Sequence, residues 1–444
     1  MDNLRYDRSI KRVSESYLCT NCGACQVICP KDAIDFVSTS LGRIYADVSN
    51  KCINCGLCQK VCPSLNDTLT SKDANNELLG HISSLRVGKA LDKEIFDNSQ
   101  SGGVCSALLK FLFDTKKIDG ALVCRMDYGK DVPEVKPIII KSADELLQSQ
   151  KSKYAPVPTL GVLKNRIKEF SSLAIVGIGC QIEGLVGLEE IAKDFKGKIL
   201  CRLGLICEKT LCSTIQDVYV SFLPSHSPKK IIWKCKYATF LNPQHQYQSA
   251  PLVVEDEQGN HITMPNSVRF RLKDMFTAPR CRICRDKLNL NADIVLGDPW
   301  QMSNIDWVNG ESLVIGRTEQ GESIIEEAIS AKYIQLSPRP IEELVKGQTI
   351  LQRKKQVQKY SAAFGCLKPT IDSFLLKPEL VENDKPTEKE VQSAKKDLLD
   401  FQASERLSKE EIIKNALKKI KSDKLKRTLI YRAIRKIVRI ILRK

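Results

Sequence analysis

Histidine is nearly absent from this 444-residue chain. The four present, His81, His226, His245 and His261, are scattered with no H-x-x-x-H pair. That excludes a histidine-based metal hydrolase, and no Ser–His–acid constellation follows from the sequence. Long apolar runs are also missing: no uncharged stretch reaches the roughly 18 residues of a spanning helix. The opening Met-Asp-Asn-Leu-Arg-Tyr-Asp-Arg carries no apolar signal segment, so a cytoplasmic location is expected. Phosphate motifs are incomplete. No P-loop pattern occurs, and the glycine series begun by Gly177 and Gly179 has Ile182 in its third place. With no acid closing the next strand, neither nucleotide hydrolysis nor a standard nicotinamide site is expected.

Cysteine, by contrast, is abundant, with 18 residues. In a cytosolic chain clustered cysteines read as metal ligands or catalytic thiols, not disulfides. Eight fall in two matching runs, "CTNCGACQVICP" from Cys19 and "CINCGLCQKVCP" from Cys52. Each is C-x2-C-x2-C-x3-C-P, the two-cluster ferredoxin pattern in which the fourth cysteine ligates the opposite cluster. One 4Fe–4S cluster is therefore assigned to Cys19, Cys22, Cys25 and Cys62, and a second to Cys52, Cys55, Cys58 and Cys29. A pair of zinc sites would not require the doubled spacing.

Cys281 and Cys284 form a further C-x2-C, a weak signal alone because zinc knuckles and redox dithiols share it. Cys180 and Cys207 each end an apolar strand pattern, and the four together could hold a third 4Fe–4S cluster. Cys201 and Cys212 are the alternatives to Cys207. The lone Cys105, Cys124, Cys235 and Cys366 read as small buried hydrophobes.

A hydrophobic share of 42% supports real cores, and the length suggests two or three domains. The expected order is an α+β ferredoxin-like domain at 1–66, a polar linker at 67–80, and an α/β domain at 81–345. A helical extension at 346–413 and a basic tail at 414–444 follow. Within the α/β domain, helices are expected at 104–114, 142–150 and 181–195, the second with Ser142 and Glu145 as a capping box. Strands are expected at 121–126, 135–140, 172–177, 198–207 and 292–298, with an antiparallel insertion over 229–270. Two glycine turns, "NSQSGGV" at 98–104 and "VGIGCQIEG" at 176–184, open onto helices and could cradle a dinucleotide phosphate.

The blocks "QSGGVCSALL", "KSKYAPV", "VGIGCQIEGL", "GLIC" and "CRICRDKLNLNADIVLGDPW" follow the two-cluster ferredoxin in this order. Together they resemble the beta subunit family of coenzyme F420-reducing hydrogenase and dehydrogenase, over roughly residues 12–340. The resemblance implies an α/β domain holding one FAD beside a 4Fe–4S cluster. Carried over, Ser101, Gly102, Gly103, Lys153 and Tyr154 would contact FAD, and Gly179, Cys180 and Gln181 would lie by the flavin and third cluster. Cys281 and Cys284 match the family's cluster pair, and Asp298 its Gly-Asp turn. Where the family usually has Thr-Pro, this chain has Ile178-Gly179, a departure that bears on substrate geometry.

The reading is therefore an FAD-dependent iron–sulfur oxidoreductase, exchanging hydride with coenzyme F420 or another small redox substrate. No catalytic residue is assigned. A ferredoxin or another redox subunit is the expected electron partner, and a homo-oligomer the expected assembly. The alternatives are an electron-delivering subunit without its own substrate, or a cluster-containing nucleic-acid binder. Residues 414–444 hold thirteen Lys and Arg against the single acid Asp423, so most of the formal +16 lies there. The tail reads as a basic amphipathic helix suited to an anionic surface on the inner face of the cell membrane. A helix docked on its own core and a nucleic-acid arm are the other readings.

Overall fold

The computed structural model describes residues 7–65, 78–128, 133–223, 228–233, 252–264, 272–367 and 385–420. The two cysteine runs build a small module. Helix α1 (Lys11–Glu15) precedes α2 (Ala24–Ile28), the hairpin of β1 (Ile34–Ser38) and β2 (Ile44–Val48), and α3 (Leu57–Lys60). Gly23 and Gly56 stand at the same place in the two runs and cap α2 and α3 with φ of +92° and +79°. A side chain is strained in that left-handed backbone.

Eight strands form the main sheet: β3 (Ser84–Ala90), β4 (Gly120–Asp127), β5 (Glu134–Ile140), β6 (Leu173–Ile178), β7 (Ile199–Leu205), then β11 (Ile294–Gly297), β12 (Ser312–Gly316) and β13 (Ile334–Pro338). Their order is β13-β3-β12-β11-β7-β6-β4-β5. β4, β6, β7 and β11 run parallel, whereas β5 and β12 are antiparallel to their neighbours. Continuous apolar strands such as "LAIVGI" are buried on both faces, as parallel sheets require. Helix α4 (Lys93–Asn98) follows β3. On one face α5 (Val104–Asp114) packs Leu108 and Leu112 against Ala121, Ala174 and Leu203. On the other, α6 (Gly179–Ile191) packs Ile182 and Leu185 against Leu122 and Ile175 and meets Ala24 and Val61 of the cysteine module. Burial of each such large apolar side chain contributes about 1.5–3 kcal/mol. The module is thus fixed to the sheet through α6.

Helix α7 (Thr214–Val220) lies beside a second sheet of β8 (Pro228–Ile232), β9 (Leu252–Asp256) and β10 (His261–Met264), antiparallel as expected for the insertion. Helix α8 (Pro279–Arg282) carries Cys281, and α9 (Glu319–Ser330) shares the α5 face of the main sheet. The C-terminal helices α10 (Ile341–Gly347), α11 (Ile350–Ala363) and α12 (Glu388–Ser404) pack largely back over the body. α10 covers Leu85, Val87 and Leu313, while Tyr360, Phe364, Ala394 and Leu398 close over the cysteine module. Among the described residues no helix is long and apolar enough to cross a membrane.

One element differs from expectation. Residues 142–150 form two 3-10 turns, Ala143–Glu145 and Leu147–Ser149, and Ser142 makes no side-chain cap. Glu145 instead accepts from Lys141 N at 2.8 Å, and Gln150 donates to Ile95 O and Ser106 Oγ. The Gln150 bonds fix the segment on α4 and α5. The lone Cys105, Cys124 and Cys366 are partly exposed, not fully buried, and Cys235 lies outside the described residues. Most of the basic tail, 421–444, is also outside them.

Candidate functional site

The crossed cysteine sets come together in space. Cys29, Cys52, Cys55 and Cys58 line one open pocket, together with Arg8, Lys31 and Ile53. Cys19, Cys22, Cys25 and Cys62 line another. In both, the fourth cysteine comes from the opposite run. Among the described residues no three His, Cys, Asp or Glu converge tightly enough for a single metal ion. Burial lifts the Cys22 and Cys58 thiols to about 11. In such surroundings the thiolate forms where a cation pays for it.

A third set assembles where the sheet's parallel strands end. Cys180 occupies the first turn of α6 after β6, Cys207 follows β7, and Cys281 and Cys284 belong to α8 and its exit. Burial, then the neighbouring Cys284, Cys207, Cys22 and Cys281, raise the Cys180 thiol well above its ordinary range. Cys180 is thus neighbour both to the other three and to Cys22 of the second cavity. Its sulfur lies 3.9 Å from Thr20 O. Gln181 holds this turn: its Oε1 accepts from Ile178 N at 3.0 Å and its Nε2 donates to Thr159 Oγ1 at 2.6 Å. Cys207 N is fixed to Lys287 O at 3.0 Å.

The two alternatives to Cys207 lie elsewhere. Cys201 is buried in the α5-side core, and Cys212 packs with Leu211 and Phe276 under the second sheet.

Arginines surround the third set. Burial opposes the charge of Arg280, but Cys284, Glu183, Cys180 and Cys281 together hold it charged. Arg353 of α11, 4% exposed, donates through Nη2 to Cys281 O at 2.8 Å and Cys284 O at 2.6 Å. Its Nε and Nη1 are buried without a partner among the described residues. Sequence reasoning missed both. Arg280 could have been noticed beside Cys281, but Arg353 lies in a charged helix where nothing singles it out.

The flavin-contact residues expected from resemblance are brought together only in part. The Ser101-Gly102-Gly103 turn opens α5, and Asn98 and Gln100 just before it join residues 150–152 through three links. Asn98 Nδ2 donates to Gln150 Oε1 at 2.5 Å, Lys151 Nζ to Asn98 Oδ1 at 2.8 Å, and Ser152 N to Gln100 Oε1 at 2.7 Å. Gln100 Nε2 remains a buried donor without a partner among the described residues. Lys153 Nζ donates to the carbonyls of Ser149, Gln150 and Lys151 at 2.6–2.8 Å. Burial pulls its pKa down to about 8, with the Cys124 thiol acting in the opposite sense. With its three N–H groups taken by carbonyls, Lys153 can offer an acidic ligand group its charge but no free donor, whereas Gln100 Nε2 and the α5 N-terminus can donate. The Tyr154 ring instead packs on Trp233, centroids 4.9 Å apart, beneath the Lys273 ammonium. Gly179 lies against the buried Asp286, and Asp298 O accepts from Gln348 Nε2 at 2.8 Å. The Ser101 turn follows β3 and α4, the Cys180 turn β6 and Asp298 β11, so these candidate loops gather at the carboxyl ends of the strands, where open α/β sheets take ligands.

Comparison with known proteins agrees with this architecture. The profile for the N-terminal part of the coenzyme F420 hydrogenase/dehydrogenase beta subunit matches residues 86–164, and that for its C terminus residues 170–341. A 4Fe–4S dicluster domain matches residues 18–66. Coenzyme F420 hydrogenase subunit beta of Methanosarcina barkeri is 25% identical over 283 residues, covering 61% of this chain and 87% of that protein. An uncharacterized protein of Methanocaldococcus jannaschii is 26% identical over 382 residues, 80% of this chain and 98% of that one. A chain from the solved F420-reducing nickel–iron hydrogenase complex of Methanosarcina barkeri, studied with xenon, superposes with a TM-score of 0.50. It is 22% identical and covers 64% of this chain and 91% of its own, a likeness of fold.

Proposed function

The chain belongs to the coenzyme F420 hydrogenase/dehydrogenase beta-subunit family, and from that premise we propose that it is an FAD-dependent iron–sulfur oxidoreductase with three 4Fe–4S clusters. Its substrate class is a small hydride acceptor or donor such as coenzyme F420. The observation that carries this reading is the succession of cysteine sets. Cys58 and Cys62 both neighbour Cys25, and Cys22 neighbours Cys180 at the carboxyl edge of the sheet. Cys29, Cys52, Cys55 and Cys58 would hold the outermost cluster, and Cys19, Cys22, Cys25 and Cys62 the middle one. Cys180, Cys207, Cys281 and Cys284 would hold the innermost. Bound clusters exchange single electrons and bound flavin exchanges one or two, which joins ferredoxin-type carriers to hydride chemistry.

The chain's own residues have separable tasks. The Ser101–Gly103 turn, Gln100 Nε2 and Lys153 would hold the anionic part of FAD. Gln181 keeps Cys180 on the first turn of α6, where the helix dipole favours a thiolate. α6 and α11 exclude water between the cysteine module and the sheet.

Anaerobically purified full chain should carry about 12 irons and a flavin spectrum, and should reduce coenzyme F420 from reduced viologen dye. Iron with no flavin would sink the oxidoreductase reading. A second reading, delivery of electrons to a catalytic partner, is favoured by the structural neighbour's place in a hydrogenase complex. It predicts that reduced dye fills the chain's clusters and flavin stoichiometrically, with no turnover of F420 until such a partner is added.

A further inference from the structure

Arg353 lies beyond the residues matched by either beta-subunit profile, which end at 341, yet it reaches the third cysteine set. It sits on α11, whose far end supplies Tyr360 and Ala363 to the cysteine-module core. One helix of the C-terminal extension therefore touches both iron–sulfur regions. The Arg353 side chain is almost fully buried, and only Nη2 is used, on the carbonyls of Cys281 and Cys284. Nε and Nη1 have no acceptor among the described residues. A guanidinium stays protonated in proteins, and a buried cation without a counter-charge is strongly unfavourable. The anions around it are the Cys207 and Cys284 sulfurs, once ligated, and the Glu208 carboxylate. Four thiolates on a 4Fe–4S core give a net negative group whose sulfurs accept hydrogen bonds, and such bonds with nearby charge set its potential.

We propose that Arg353 is a positioning residue for the cluster of Cys180, Cys207, Cys281 and Cys284. It clamps the Cys281–Cys284 turn by its two carbonyls, and its remaining N–H groups and charge make that cluster easier to reduce. The proposal rests on the three-cluster reading above. It makes the C-terminal extension part of the electron path, since removal of α11 would strip the inner cluster of this cation.

The test is an EPR-monitored redox titration of anaerobically purified full-length chain, with iron counted in the same samples. Arg353→Gln should retain its iron, while one cluster becomes at least tenfold harder to reduce, about 59 mV for a one-electron couple. The other two clusters should keep their midpoints. Arg353→Lys should recover part of the shift, and Lys355→Gln, which removes an exposed charge from the same helix, should shift nothing. Full iron with unchanged midpoints in Arg353→Gln would overturn the proposal. If Arg353→Gln sheds the cluster, Arg353→Lys decides. A retained cluster with a shifted midpoint supports the role, and loss in both variants overturns the electrostatic part. A wild-type chain with only about eight irons would sink the three-cluster reading itself, before any variant is made.

Discussion

Cys22 lies so close over Gly184 that a Cβ on the glycine would stand 3.0 Å from the cysteine sulfur and 3.2 Å from Ala24 Cβ. The contact joins a cysteine of the middle cavity to the helix that begins with Cys180. A side chain at position 184 makes Cys22 and Ala24 give way by a few tenths of an ångström, and more for a larger one. Gly184→Val should therefore cost about 1–3 kcal/mol in packing and release about four irons per chain. Gly184→Ala should do so more weakly. Iron analysis with the EPR spectrum of the remaining clusters reads the result, and full retention of iron in Gly184→Val would show that the seam is soft.

The choice of fourth ligand in the third set gives a sharper contrast. Cys207 neighbours Cys281 and Cys284, whereas Cys201 faces Leu203 and Ile294 in the α5-side core and Cys212 lies under the second sheet. Cys207→Ser should lower the iron content by about four per chain, with the ferredoxin-type signals intact. Cys201→Ser and Cys212→Ser should keep all of it. Iron loss confined to Cys212→Ser would reassign the site.

Spacing made the two ferredoxin cavities legible because their ligands are local in sequence, and the crossed fourth cysteine is a property of the repeat. The third set was harder. Its members come from three distant elements, and only the fold separates Cys207 from Cys201 and Cys212. Strand–helix alternation placed the parallel strands well, because apolar runs such as "ADIVLG" are buried on both faces. The 142–150 segment failed because local helix preference lost to the tertiary bonds of Gln150 to Ile95 and Ser106. Arg353 was invisible in principle: its partners are main-chain carbonyls 72 and 69 residues away.

The flavin contact assigned to Lys153 carries a pH signature. Burial is the main cause that brings its pKa down to about 8, so its ammonium is charged below that pH and lost as pH rises through it. An FAD diphosphate held by that charge should bind most tightly below pH 8 and weaken above it, by up to about tenfold per pH unit. Binding itself favours the protonated form and carries the loss somewhat above pH 8. Titration of flavin-depleted chain with FAD at pH 7 and pH 9 measures the effect. Lys153→Met should weaken binding at pH 7 and flatten the profile. Parallel profiles for the two proteins would remove Lys153 from the site.

The C-terminal tail offers a test in which cluster chemistry is the control. Residues 409–420 are helical, and Ile412, Ala416 and Ile420 are buried against the second sheet. Ser408 and Glu411 cap the start reciprocally, and Lys409 pairs with Asp217. The tail's first turns are therefore part of the body, and a truncation after Ile420 leaves this packing in place. Beyond it, residues 421–444 carry ten Lys and Arg against Asp423 alone. Near an anionic leaflet each basic residue contributes roughly 1 kcal/mol, and salt screens the attraction within a Debye length. The full chain should cosediment with phosphatidylserine-containing vesicles at low salt and be released at high salt. The truncated chain should stay in solution with its iron and dye-reducing activity unchanged. Equal cosedimentation of both would place the membrane contact, if any, on the folded body. Salt-sensitive retention of the full chain on RNA or DNA, with none on vesicles, would instead assign the tail to nucleic acid.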